Sequence, residues 1–178
     1  MRLIISIFVG LMLVSCVNQS NDKKIKVEND SVVETQYSNE DIYVIPYNLV
    51  KKYPNRVGNQ AVQELIVSEM DAYLNKYKGK ELPMVSHSSF FLDKVEKDGN
   101  SGYRALFKYG WISSEDFESK IQVWVLGLTQ VEASKLEVSE CYKLKGTMSE
   151  ISYSGPELNG DLFDFGIIIY ENATIMPD

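Results

Sequence analysis

Apolar and polar positions change rhythm along the chain, and the changes predict its elements. Between residues 59 and 78, Val62, Leu65, Ile66, Met70, Tyr73, Leu74 and Tyr77 recur three and four apart, which puts one apolar stripe on a helix. Asn59 can cap its start, Lys76 and Lys78 suit the negative end of its dipole, and Gly79 supplies a left-handed stop. Upstream, Ile45-Pro46 and Tyr53-Pro54 disfavour helix at the residue before each proline, leaving room for a short helical piece from Tyr47 to Tyr53. Beyond Gly79 the period drops to two. SFFLDKVEK (89–97), GYRALFKYGW (102–111) and IQVWVLGL (121–128) predict three strands. The first two form a hairpin about the turn formers of residues 98–102, and Gly127 marks a bulge. Residues 113–119 read as a polar, acidic connection. Thr129 and Glu132 match a capping box, so a short helix follows, with Val131, Ala133, Leu136 and Val138 as its apolar surface. CYKLKGTMSEISY (141–153) and LFDFGIIIYENATIM (162–176) form a final strand pair around a loop rich in turn formers.

The element order predicts an α+β, mainly β fold. An N-terminal helix precedes a five-stranded OB-like Greek-key barrel over about residues 84–176, with a short helix between strands three and four. Three segments carry a family resemblance: Tyr77-Lys-Gly-Lys-Glu-Leu82, Val131-Glu-Ala-Ser-Lys-Leu136 and Tyr142-Lys-Leu-Lys-Gly-Thr147. They resemble the tRNA-anticodon-like OB-fold lipoproteins of Bacteroidota, over about residues 70–176. That family is mostly of unknown function, so the resemblance implies architecture and little chemistry.

The N-terminus suggests an address. Met1-Arg2 opens positively, and Leu3 to Val14 is apolar but shorter than the ~20 residues of a spanning helix. Leu13-Val14-Ser15-Cys16 resembles the bacterial lipobox, which implies a signal peptide over 1–15 and a diacylglycerol on the Cys16 sulfur. Each buried CH₂ contributes about 0.8 kcal/mol, so two or more chains anchor stably to a membrane. Residues 16–40 follow as the lipidated cysteine and a polar, flexible tether, and 41–178 as one globular domain. Val17, where retained lipoproteins carry Asp, favours the outer membrane of the cell envelope, facing the periplasm or the exterior. Asp30-Ser31-Val32 resembles an O-glycosylation signal of Bacteroidota, which makes Ser31 a candidate acceptor.

Charge and cysteine usage narrow the chemistry. The formal net charge is −7, which repels phosphate backbones and argues against nucleic acid as partner. With Cys16 acylated, Cys141 is expected to be a small buried apolar residue outside any disulfide framework.

Candidate ligand-binding residues are Tyr103, Tyr109, Trp111 and Trp124, whose rings could stack on a ligand across strands two and three. Phe107 is assigned to the core. His87, the only histidine, adjoins Ser86, Ser88 and Ser89, and no Gly-x-Ser-x-Gly elbow accompanies it. One histidine and one remaining cysteine are too few for a zinc site. Asp161 and Asp164, like Glu115, Asp116 and Glu118, lack EF-hand spacing and read as solvated loops. No cofactor is expected. The function expected is a non-enzymatic envelope binding module for a protein, peptide or glycan. The alternatives are an inhibitor or immunity-type lipoprotein against a basic toxin or lysozyme, and a hydrolase using His87.

Overall fold

A computed structural model describes residues 44–99, 102–109, 112–113, 117–151 and 155–178. A proline is tolerated in the first turn of a helix, where its missing N–H had no intrahelical partner. Two helices use this. Helix α1 (Val44–Lys52) holds Pro46 in its first turn and so starts ahead of the expected Tyr47. Helix α2 (Gln60–Lys76) begins on Asn59, whose side chain accepts from the Val62 N–H. Helix α3 (Pro83–Ser86), not expected, opens on Pro83 after an extended Leu82.

The buried face of α2 is Ile66, Met70 and Leu74, flanked by Val62, Tyr73 and Tyr77. Leu65 is 53% exposed, which corrects its place on the stripe. At about 100° per residue, the row spaced by four through Ile66 turns Leu65 out to its flank.

The strands follow as β1 (Ser89–Asp98), β2 (Gly102–Lys108), β3 (Ile112–Ser113) and β4 (Glu118–Leu128). After helix α4 (Gln130–Ala133) come β5 (Cys141–Ile151), β6 (Glu157–Asn159) and β7 (Leu162–Pro177). They form one sheet in the order β3-β4-β2-β1-β5-β7-β6, and β4 also pairs with β7 in parallel. The expected five-stranded OB-like barrel with a single N-terminal helix is therefore corrected. The described residues contain seven strands and four helices, three of them ahead of β1. The first strand begins at Ser89, where SFFLDKVEK starts, but the barrel's expected onset near residue 84 falls in α3, which occupies 83–86. The added strands β3 and β6 come from segments read as polar loops. Ladder pairing with β4 (Ile112↔Ser119) and with β7 (Leu158↔Phe163) recruits them without an apolar run of their own.

Alternation along β4 sorts the two faces. Ser119, Ile121, Val123 and Val125 are buried, while Lys120, Gln122 and Trp124 are partly exposed. The core gathers Phe90, Phe107, Phe163, Phe165 and Tyr170 from the sheet against Ile66, Met70 and Leu74 of α2.

Three polar links hold the helices to the sheet. The α2–α3 connection pairs with β5: Gly79 N–H donates to Met148 O at 2.8 Å, and Met148 N–H to Lys80 O at 2.9 Å. The buried Tyr170 hydroxyl accepts from the Leu82 N–H at 3.3 Å. Desolvation pushes the pKa of this phenol well above the ordinary tyrosine range, so it stays protonated. Arg56, buried in the connection between α1 and α2, pairs with Asp161 at the β6–β7 turn at 2.7 Å.

Candidate functional site

The parallel β4–β7 ladder runs from Glu118↔Leu162 to Leu126↔Glu171 and stops. Backbone conformation explains why. Gly127 follows on β4 with φ of 77°, and Asn172 follows on β7 with φ of 53°, both left-handed. On the far side of β7 the β5 register shifts between Lys145 and Thr147, and Gly146 sits there against Ala173. A Cβ on Gly146 would lie 2.8 Å from the Ala173 Cβ, so only glycine fits. The two strands diverge, and a cleft of about 510 Å³ opens between them.

Helix α4 forms the third wall. Its capping box is complete: Thr129 Oγ1 accepts from Glu132 N–H, and Glu132 Oε2 accepts from Thr129 N–H at 2.8 Å. The Thr129 hydroxyl also donates to Glu132 Oε2 at 2.7 Å, and these bonds hold the Glu132 carboxyl below the ordinary glutamate range. The cleft's apolar lining includes Leu128, Leu136, Tyr142 and Ile175, and its polar lining Glu132, Lys135, Asn172 and Thr174. Glu132 stays ionised while its oxygens serve the cap, and the exposed Lys135 sets a positive charge beside it. The Tyr142 hydroxyl accepts from Glu137 N–H at 2.9 Å, which fixes the loop after α4 over the start of β5.

The aromatics expected to bind a ligand do not come together. Phe107 is fully buried, as assigned. Tyr103 is half-buried against the core, opposite Leu128. Tyr109 is likewise half-buried, edge-on to Phe90 at 5.5 Å. Trp124 lies on the other face of the sheet, with Lys94 Nζ 5.0 Å and Arg104 Cζ 4.6 Å from its ring. Glu96 joins those cations, 2.9 Å from Lys94 Nζ and 2.5 Å from Arg104 Nη2. The ring thus already carries a cation cover and is not a bare stacking platform. Trp111, Cys16 and Ser31 lie outside the described residues.

His87 is exposed at the end of α3, its Nδ1 3.0 Å from Pro83 O and 3.5 Å from Ser86 Oγ, both from its own turn. Asp161 pairs with Arg56, and Asp164 holds Lys120 at 2.9 Å and accepts from Gly166 N–H. Among the described residues no group of three His, Cys, Asp or Glu could hold a metal. None of their helices is long and apolar enough to cross a membrane.

Cys141 corrects an expectation. It is partly exposed at the start of β5, not a buried apolar residue. A sulfur holds either a thioether or a disulfide, so in any one molecule lipidation of Cys16 and a disulfide at Cys16 exclude each other.

The cleft was not among the sequence candidates. Its residues come from four segments, Leu126–Leu128, Glu132–Leu136, Tyr142 and Asn172–Pro177. The available signals were Gly127 and the Glu171-Asn172 break in an otherwise apolar run. Compared with protein-family models, curated proteins and solved structures, the chain matches none.

Proposed function

We propose that this chain is a lipid-anchored protein of the bacterial cell envelope that works by binding, with the cleft between β4, β7 and α4 as its binding surface. One observation carries the binding reading. The cleft has a volume in the range of ~300–1,000 Å³ usual for ligand sites, and its apolar walls hold a few convergent polar groups. The anchor rests on Leu13-Val14-Ser15-Cys16 and the short apolar segment before it. The polar stretch up to residue 40 would set the domain off from the membrane.

Two measurements test the two halves separately. Mass spectrometry of the protein from its native membrane should give an N-terminal peptide beginning at Cys16 with a diacylglyceryl mass. A peptide joining Cys16 to Cys141 in all of the protein would overturn the anchor. For binding, a photo-crosslinking residue at Thr174, exposed in the cleft lining, should yield discrete adducts in cells. The same residue at Asn75, exposed on α2, should not. Identical adduct patterns at both positions would remove the cleft from the argument.

A further inference from the structure

We propose that the cleft takes an extended peptide, which adds as a strand to the open edge of β7. This rests on the binding reading above and specifies its ligand class. The argument starts from backbone groups. Asp178 N–H donates to Cys141 O at 3.1 Å, which turns the backbone of residue 178 toward β5. Strand alternation then directs Thr174 and Met176 toward β5 as well, and Ala173, Ile175 and Pro177 toward the opposite edge. That opposite edge held β4 as far as Leu126↔Glu171, and past that pair it faces the cleft.

Among the described residues, no strand pairs with Ala173, Ile175 or Pro177 on that side. The N–H groups of Ala173 and Ile175, and the carbonyls of all three, face a cavity and not a ladder. Pro177 lacks an N–H, so its position on this edge costs no bond, and pairing there depends on its carbonyl. Across the cleft the β4 backbone at Gly127–Leu128 has likewise lost its β7 neighbour. Two strand edges facing each other across an open slot offer regularly spaced donors and acceptors, which an extended main chain matches and a compact small molecule does not. The apolar lining by Leu128, Leu136 and Ile175 would receive alternate side chains, and the paired charges of Glu132 and Lys135 would stand at the rim.

The test uses the full-length protein in detergent and a library of random short peptides displayed on phage. Selected peptides should lose binding by about tenfold or more when alternate amides are N-methylated, and tolerate methylation at the intervening ones. Thr174→Trp, an exposed position lining the cleft, should block them. Ile175→Pro removes an edge donor that no ladder uses and should weaken them similarly. If that variant fails to unfold cooperatively, the N-methyl scan on the unaltered protein decides alone. Peptide binding indifferent to N-methylation would overturn strand addition and leave the binding function standing. So would a glycan or small amphiphile blocked by Thr174→Trp in the absence of any selected peptide. A homodimer abolished by Thr174→Trp would overturn it in favour of a second copy in the slot. A protein that binds no probe of any class would remove the binding function as well.

Discussion

Gly127 and Asn172 stand across from each other where β4 and β7 part, both with left-handed backbones. A Cβ built on Gly127 would sit 3.5 Å from the Asn172 Oδ1. Glycine takes such a conformation at little cost and asparagine tolerates it, whereas a branched side chain pays the full steric penalty.

Asn172 should therefore respond to substitution by backbone preference. Asn172→Gly should leave stability within about 0.5 kcal/mol, and Asn172→Val should lose about 1–2 kcal/mol. Urea unfolding midpoints check this. Equal losses for both variants would mean that the side chain, and not the backbone, matters at this position.

Gly146 is tight for a different reason. An alanine there would put its methyl 2.8 Å from the Ala173 Cβ and 2.9 Å from its Cα, so backbone must move. Gly146→Ala should cost about 1–3 kcal/mol. Removing the opposing methyl with Ala173→Gly should restore part of it. A double-mutant cycle with no coupling between the two sites would contradict the contact.

The capping box should be worth about 1 kcal/mol to the wall of the cleft. Thr129→Ala removes an acceptor for the Glu132 N–H and a donor to its carboxylate. The Glu132 carboxyl, held low chiefly by the Thr129 side chain, should then titrate closer to the ordinary glutamate range. NMR titration of the Glu132 side chain would show this, and an unmoved value would dismiss the box as its cause.

The contact between α1 and α2 should make stability pH-dependent. Glu69 accepts from Lys52 Nζ at 2.6 Å and from the Tyr53 hydroxyl at 2.5 Å, and both bonds hold its pKa low. A depressed carboxyl stabilises the fold above its unfolded pKa, and that contribution is lost as pH falls through the folded value. Lys52, raised chiefly by Glu69, contributes below the ordinary lysine pKa and loses its contribution as pH rises through the raised value. Both partners are substantially exposed, so the effect is small and screened by salt. In Glu69→Gln the fall in unfolding midpoint between neutral and acid pH should be shallower than in the unaltered protein. An equal fall would assign the acid limb to Glu96, Glu132 and Asp178, whose pKa values are also lowered.

Several elements were legible because their cause is local. Asn59 as a cap, the Thr129–Glu132 box and the left-handed Gly79 and Gly127 each depend on a few adjacent residues, and each is present. The long strands were legible from alternation. Helix α3 was not, since four residues give no period, and β3 and β6 exist only because a partner strand lies beside them. The aromatic candidates show where alternation stops being informative. It could not reveal that Tyr103 would pack against the core, that Tyr109 would lean on Phe90 or that two cations would cover Trp124. The cleft was illegible for a further reason: it is a separation of strands, and its walls meet only after the sheet has formed.

β7 comes later in the chain than β4, β5 and β6, all of which it joins. While the polypeptide is still emerging, those earlier segments lack the strand that unites them, and the edge of β4 away from β2 must wait for residues more than forty positions away. Assembly is thus held back until Leu162–Pro177 has been synthesised. A message truncated within that stretch would yield exposed β edges prone to aggregate, and not a smaller working protein.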